Sequence, residues 1–271
     1  MKVSVIFSTY NSPKWLEKVL WGFLNQTVSN FEIVIADDGS SHETLDLIER
    51  VRASSSILIR HVWQEDDGFQ KCRILNKAIL ASSGDYLIFT DGDCIPRADF
   101  IEQHLRHANI HSFLSGGYFK LPMGVSEAIT EEDVQSQRVF DSAWLEERGV
   151  PKSHKNWKLM AQGFWANLLN LISPAKPTWN GHNASCHKAH VLAINGFDER
   201  MQYGGEDCEF GDRLCNFGIQ PKRIRYSAVC VHLDHARGYV TPAMLQKNQL
   251  IRLQTQSEKR VRSPLGLDQY L

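Results

Sequence analysis

The feature that most restricts the fold of this chain is an alternation. Within residues 1–95, four short apolar runs are separated by three segments with helical spacing. Val3–Phe7, Phe31–Ala36, Leu58–Val62 and Tyr86–Phe89 read as buried strands, rich in Val, Ile and Phe and bounded by turn residues. Between them, Ser12-Pro13 opens a helix, with Ser12 as N-cap and Leu16, Val19, Leu20, Phe23 and Leu24 on one face. Further helices run from about Glu43 to Val51 and from Lys71 to Leu80. This β-α-β-α-β-α-β order predicts an α/β fold: a mostly parallel, Rossmann-like sheet, right-handed crossovers and helices on both faces.

In a parallel sheet the carboxyl ends of the strands share one edge, where open α/β folds bind ligands. Here those ends read Ser8-Thr9-Tyr10-Asn11, Asp37-Asp38-Gly39-Ser40-Ser41 and Thr90-Asp91-Gly92-Asp93. Asp91 and Asp93 are two like charges two residues apart, and they repel unless one is protonated or a cation sits nearby. Oxygen ligands of this kind suit Mg²⁺ or Mn²⁺ bridging to a substrate phosphate. An aromatic ring and a carboxylate at the neighbouring ends would hold a uracil-like base. The plain alternatives are an Asp-Gly-Asp turn and a helix-capping Asp37–Ser40 loop. There is no G-x-G-x-x-G after the first strand and no G-x-x-x-x-G-K-[ST], which argues against a dinucleotide-binding dehydrogenase and a P-loop enzyme.

A formal net charge of -1 creates no global field for nucleic acid. No run of about 18 apolar residues is present to span a membrane. With a strand beginning beside Lys2, a signal peptide is not expected. Six cysteines without a C-x-x-C pair then read as reduced thiols of a cytoplasmic chain.

The second half is less regular. A helix is expected over Ala98–Ala108, a strand over Phe113–Phe119, one or two helices within Ser126–Arg148 and a basic stretch over Lys152–Lys158. From Asn156 to Ile172, apolar residues recur at helical spacing. The segment can pack on the core or lie against an anionic membrane surface. Trp179-Asn180-Gly181-His182-Asn183 leads to a helix at Lys188–Ile194. Gly204-Gly205-Glu206-Asp207 then suits a loop packed closely on a ligand, with acids favoured at the start of a helix to Phe217. Phe210 and Leu214 face inward on it, and Gly218 stops it. A strand over Ile224–Val231 ends at His232, with Asp234 and His235 just beyond. An amphipathic helix begins near Gln246.

Taken together, VSVIFSTYN (3–11), IVIADDGSS (33–41), QEDDGFQKCRILN (64–76) and YLIFTDGDCIP (86–96) resemble family-2 glycosyltransferases of the GT-A fold. Residues 180–214, with NGHN and GGEDCEF, are similar to the segment shared by β-1,4-galactosyltransferases and the galactosamine-transferring module of bacterial chondroitin polymerases. The resemblance implies a metal-dependent, inverting transfer of a hexose or N-acetylhexosamine from a UDP-sugar. The acceptor would be a hydroxyl of a glycan or lipid-linked molecule in surface-polysaccharide synthesis. It implies that Thr9, Tyr10, Asn11 and Asp38 hold the base and ribose, with Asp66 and Arg73 near the uridine and diphosphate. Asp91 and Gly92 would lie by the ribose or sugar. Asp93 and His232 would ligate Mn²⁺ (or Mg²⁺), with His235 as an alternative ligand. Asp207 would be the base with Glu206 beside it, and Trp179 and Asn183 would line the sugar pockets. On this basis 1–271 is one domain: a donor half (1–120), a variable helical insertion (121–177), an acceptor and catalytic segment (178–236) and a tail (237–271). A cytoplasmic enzyme of this kind would meet its acceptor at the inner membrane face. Two other classes stay open. One is a sugar- or nucleotide-binding protein of this fold with little catalysis. The other is a sugar nucleotidyltransferase, which would want a basic, Gly-rich loop where Ser8–Ser12 stands.

Overall fold

A computed structural model describes residues 1–153, 156–236 and 240–271. The chain runs β1 (Val3–Thr9), α1 (Pro13–Leu24), β2 (Phe31–Asp37), α2 (His42–Ser54), β3 (Leu58–Trp63), α3 (Lys71–Ala81), β4 (Tyr86–Asp91) and β5 (Cys94–Pro96). It continues through α4 (Phe100–His107), β6 (Ser112–Ser115), β7 (Gly117–Lys120), α5 (Met123–Ala128), α6 (Glu131–Gln135), α7 (Ser142–Glu147), α8 (Trp157–Met160) and α9 (Gly163–Ile172). The remainder is β8 (Ala184–His187), α10 (Lys188–Ala193), α11 (Glu206–Asn216), β9 (Gln220–Arg223), β10 (Val229–His232) and α12 (Pro242–Ser257).

Seven strands form the main sheet in the order β3-β2-β1-β4-β8-β6-β9. All neighbours are parallel except around β8, which runs antiparallel to β4 and β6. The mixed α/β architecture with a mostly parallel sheet is therefore as the alternation predicts. Side chains on successive strand positions point to opposite faces. Val3, Val5 and Phe7 accordingly pack with Leu16, Val19 and Phe23 of α1, and Ile6 packs with Ile74, Ala78 and Ile79 of α3 on the other face.

The Phe113–Phe119 run is two strands in two sheets rather than one strand. The chain leaves the main sheet after Ser115 and enters a second sheet, β5-β10-β7, at Gly117. Glycine is needed at the switch because a Cβ on Gly116 would stand 1.9 Å from Asn183 Oδ1, and one on Gly117 2.0 Å from the Arg225 carbonyl. The late strand expected over Ile224–Val231 is shorter, only β10 (Val229–His232) in the small sheet. It is preceded by β9 (Gln220–Arg223) in the main sheet, which the sequence pattern does not predict. Residues 123–147 form three short α-helices and a 3₁₀ turn at Arg138–Phe140 instead of one or two longer helices. Ser12 precedes α1 as expected, but its hydroxyl donates to the Tyr10 carbonyl and makes no cap.

The 156–172 segment packs on the core only in part, through Leu159 of α8. On α9 only Ala166 and Asn170 are buried, while Phe164, Trp165, Leu171 and Ile172 are exposed. His154 and Lys155 of the basic stretch lie outside the described residues. Among the described residues no helix is long and apolar enough to cross a membrane, and all six cysteines are free thiols.

Candidate active site

The carboxyl ends of β2, β1 and β4 gather the first group of polar residues. Asp38 follows β2 and is nearly buried. It accepts Gln64 Nε2 at 2.6 Å and the Gln70 amide at 2.9 Å, and burial pushes its carboxyl up to about 6. Tyr10 stands at the surface, and its hydroxyl donates to Asp66 Oδ2 at 2.8 Å. Asn11 has a left-handed backbone (φ 44°) and ties the β1 and β2 loops together through Ser40 and Ser41. Thr9 Oγ1 is buried without a partner. Gly39, also left-handed at φ 97°, lets the Asp66 backbone approach to a distance no Cβ would permit. These ends form a shallow platform of one exposed ring, two carboxylates and an orphaned hydroxyl.

The Asp91–Asp93 turn comes next along the edge. Gly92 donates its amide to the Ser8 carbonyl at 2.8 Å and has no room for a Cβ there. Asp91 accepts Lys71 Nζ at 2.7 Å and Ser8 Oγ at 3.2 Å. Burial would raise its carboxyl, but Lys71 outweighs burial and holds it down at about 2. Asp93 points the other way. Its Oδ2 lies 3.1 Å from His235 Nε2 and 3.7 Å from His232 Nε2. Asp93 and His232 meet because β5 and β10 pair antiparallel, with His232 opposite Cys94.

The third group sits at the start of α11. Gly204 and Gly205 have φ of 104° and 89°, a conformation that favours glycine. The turn folds the Gly204 amide onto Glu206 Oε2 at 2.7 Å. Burial, reinforced by Asp207, pushes Glu206 up to about 7. Asp207 is also raised, chiefly by burial, although Lys71 and the Gly181 backbone pull against it. Its Oδ1 has no hydrogen-bond partner. A Cβ on Gly181 would stand 2.7 Å from both Asp207 oxygens, so the 180–182 turn lies directly against this carboxylate. Below the site, a buried Arg213–Glu209 ion pair fixes α11. Arg213 Nη1 reaches the Ile194 and Gly196 carbonyls, and Thr255 of α12 donates to Glu209.

Several expected site residues lie elsewhere. Trp179 does not line a sugar pocket. It is 1% exposed, packed among Phe89, Phe113 and Phe210 under the site. Asn183 is wholly buried, accepting from His104 and donating to the Gly117 and Ala228 carbonyls, so it fastens the two sheets together. Arg73 is partly exposed on α3, with Asp67 at 3.4 Å and Glu199 at 3.9 Å as its carboxylate partners.

Two residues were missed. Lys71, at the first turn of α3, is the cation shared by Asp91, Asp207 and Glu206. Burial alone would lower it, yet these acids hold it well above its usual range. His182 lies near Asp91 and stacks edge-on against Tyr118, and burial lowers it to about 4. A lysine opening the helix after the QEDDGFQ loop and a histidine in NGHN were the available signals.

Asp93, Cys94 and His232 offer ligand atoms all within 4.8 Å of one another. The Cys94 thiol is buried, raised well above its usual range by burial, and 3.4 Å from Asp93 Oδ1. A neutral soft donor is a poor match for a hard cation. The Asp93 oxygen with His232 or His235 nitrogen is a better one. Adjacent ligands of an octahedral ion with bonds of about 2.1 Å lie about 3 Å apart. The Asp93–histidine distances are of that order, so the residues fit a borderline-hard divalent ion such as Mn²⁺ better than Mg²⁺.

Comparison with known proteins follows the same division. Residues 4–127 match glycosyl transferase family 2, and residues 173–236 match the family described as the N-terminal domain of galactosyltransferase. Together these take up more than two thirds of the chain. Validoxylamine A glucosyltransferase from Streptomyces hygroscopicus subsp. jinggangensis is 26% identical over 92% of this chain and 60% of its own length. Chondroitin synthase from Escherichia coli is 27% identical over 86% of this chain and 34% of its own. The chain thus spans about a third to three fifths of these relatives. Among solved structures, S. aureus TarS 1-349 in complex with UDP-GlcNAc superposes with a TM-score of 0.66 at 17% identity, covering 99% of this chain and 69% of that one. Mannosyltransferase PcManGT from Pyrobaculum calidifontis, in complex with GDP-Man and Mn²⁺, gives 0.57 at 20% identity, covering 88% and 58%. The fold is thus the GT-A fold of these glycosyltransferases, and the chain resembles glycosyl transferase family 2 over residues 4–127 and the galactosyltransferase family over residues 173–236.

Proposed function

We propose that this chain is a metal-dependent, inverting hexosyl- or N-acetylhexosaminyltransferase that uses a UDP-sugar. The observation that carries this reading is Asp207. It is a carboxylate raised by burial, with one unpartnered oxygen, at the same sheet edge as the Asp91–Lys71 pair. A sugar-binding protein has no need of a desolvated carboxylate with one oxygen left unpartnered there. A hydroxyl is a poor nucleophile, and a carboxylate within hydrogen-bond reach can take its proton as it attacks.

In this mechanism the base and ribose rest on Tyr10, Thr9 and the Asp38 loop. Asp91, held ionised by Lys71, orients the ribose or sugar hydroxyls. The acceptor oxygen gives its proton to Asp207 and attacks the anomeric carbon from the face opposite the diphosphate. The bond to the diphosphate breaks with inversion. Glu206 positions the sugar beside the base. Asp93 with His232, or His235 in its place, would hold the divalent ion, which when bound supplies positive charge to the departing diphosphate. Residues 1–120 serve the donor and 178–236 the acceptor and the base. TarS with UDP-GlcNAc and the Escherichia coli chondroitin synthase support a UDP-sugar donor and a glycan acceptor, lipid-linked or free. PcManGT with GDP-Man and Mn²⁺ supports the ion, and its GDP-sugar is the competing donor class.

The test is thermal stability against UDP- and GDP-sugars, with and without Mn²⁺, on wild type and Asp93→Ala. Ligands that bind the native state raise the melting temperature by mass action. A shift for one UDP-sugar that needs Mn²⁺ and vanishes in the variant is the expected result. A shift with GDP-sugars alone, or one unaffected by metal and by Asp93→Ala, overturns it.

A further inference from the structure

Beyond Asp91 the sheet edge continues through the ends of β6 and β9, which run parallel to β4. There a cavity opens, floored by Ser115 and Gly116 and walled by Lys176, Arg223 and Arg225, with Tyr118 and His182 on the side toward Asp91. No carboxylate lines it among the described residues. Among the described residues, none of its three cations forms an ion pair. Arg223 spends Nη1 on the Asn170 carbonyl at 2.7 Å, and the Nε atoms of Arg223 and Arg225 are both buried without an acceptor. A buried donor left unpaired is costly, more so on a charged group, and such groups are found where something else accepts from them. Two guanidinium groups with free N–H atoms and one ammonium in a cleft make a receptor for an oxyanion, because the guanidinium fork matches carboxylate and phosphate geometry.

The cavity is also joined to the proposed base. Asn180 and His182 line it, while Gly181 between them presses on the Asp207 carboxylate. A group held by the cations would therefore sit on the far side of the 180–182 turn from Asp207. The donor platform at Thr9, Asp38 and Asp91 lies in the other direction along the sheet, since β2 and β1 are on the opposite side of β4 from β6 and β9.

We propose that Lys176, Arg223 and Arg225 form an acceptor subsite for an anionic group, a sugar carboxylate or a phosphate, next to the hydroxyl that is glycosylated. This rests on the reading of Asp207 as the base. It assigns the acceptor a chemical class: an acidic glycan, not a neutral one.

The test is calorimetric titration of the full chain, saturated with UDP, with glucuronate, glycerol 1-phosphate and glucose at constant ionic strength. Glucuronate or the phosphate should bind at least ~10-fold more tightly than glucose, and the stronger of the two identifies the source of the anion. Arg225→Gln, which breaks no hydrogen bond of the fold, should weaken anion binding at least ~10-fold and leave UDP affinity unchanged. Lys176→Gln, at another lining residue, gives the same reading if the first variant does not fold. Equal binding of glucose and glucuronate overturns the proposal, as does a full anion response in Arg225→Gln. Competition between the anions and UDP in the wild type also overturns it, since the cations would then serve the donor diphosphate. Anion binding lost in Arg225→Gln while UDP itself fails to bind would uphold the cavity and sink the UDP-donor reading instead.

Discussion

Lys71 Nζ lies 2.7 Å from Asp91 Oδ1 in a site it shares with Glu206 and Asp207, so one ammonium answers three carboxylates. Removing it strands the acids in a desolvated place, and breaking a buried pair on one side costs about 3 kcal/mol or more. Lys71→Met should lose about that much stability at pH 7. In the wild type the lowered Asp91 contributes stability above its unfolded value that is lost as pH falls toward about 2. The variant lacks this contribution, so the difference in denaturant midpoints should narrow on acidification. A gap that stays constant from about pH 4 down to about pH 2 would rule out the electrostatic origin.

Asp207→Asn removes the proposed proton acceptor and keeps the shape. Turnover should fall by about 10²–10⁴ while UDP-sugar affinity stays within about threefold. Burial raises Asp207, and the group works only when ionised. Wild-type activity should therefore decline as pH falls through a point above the ordinary carboxylate range of about 4. A profile flat down to that range, or a variant that loses donor binding along with turnover, would remove Asp207 from this role.

Gly181→Ala tests the packing behind that carboxylate. The added methyl would meet both Asp207 oxygens at 2.7 Å, and the residue sits in a turn with no left-handed requirement. Turnover should drop at least about tenfold through displacement of Asp207, a shift of an ångström being enough. The melting temperature should change little. Unchanged kinetics would mean that the carboxylate can move aside without consequence.

His104 predicts a distinct acid response. It is fully buried, bonded to Ser185 and Asn183, and burial lowers it to about 3. Its unfolded value is about 6.5. The unfolded chain therefore binds the extra proton first, and stability falls as pH drops through the interval between the two values. One such proton is worth about 1.4 kcal/mol per pH unit. Asp38 and Glu206, raised to about 6 and about 7, work in the opposite sense, losing their contribution as pH rises. His104→Gln isolates the histidine. Between pH 4 and 6 its stability curve should be shallower than the wild type's by about that slope, and parallel curves would refute the assignment.

The first four strands and three helices were legible because each is a local pattern: period two or period 3.6, closed by Pro13, Gly39 or Gly84. The acidic turn and the GGED helix start were legible for the same reason. What escaped was non-local. Ser112–Lys120 has the same alternation whether it stays in one sheet or crosses between two, and only the crowding of Asn183 and Arg225 against Gly116 and Gly117 decides it. Trp179 and Asn183 stand beside residues that reach the site, and a shift of one or two positions in a turn separates a pocket wall from a core side chain. Lys71 has no motif of its own. Its meaning comes from acids 20 and more than 130 residues further on, and the sequence does not display that convergence.

The β5–β10 pairing has a consequence for synthesis. Asp93 is made early and His232 late, and they meet only when β10 docks beside β5. While the chain emerges from the ribosome, the donor platform of β1, β2 and β4 can assemble long before the Asp93–histidine pair exists. On the proposed reading, the residues for the nucleotide are therefore all synthesised before the pair for the ion, and the two parts of the site come together only once β10 has docked.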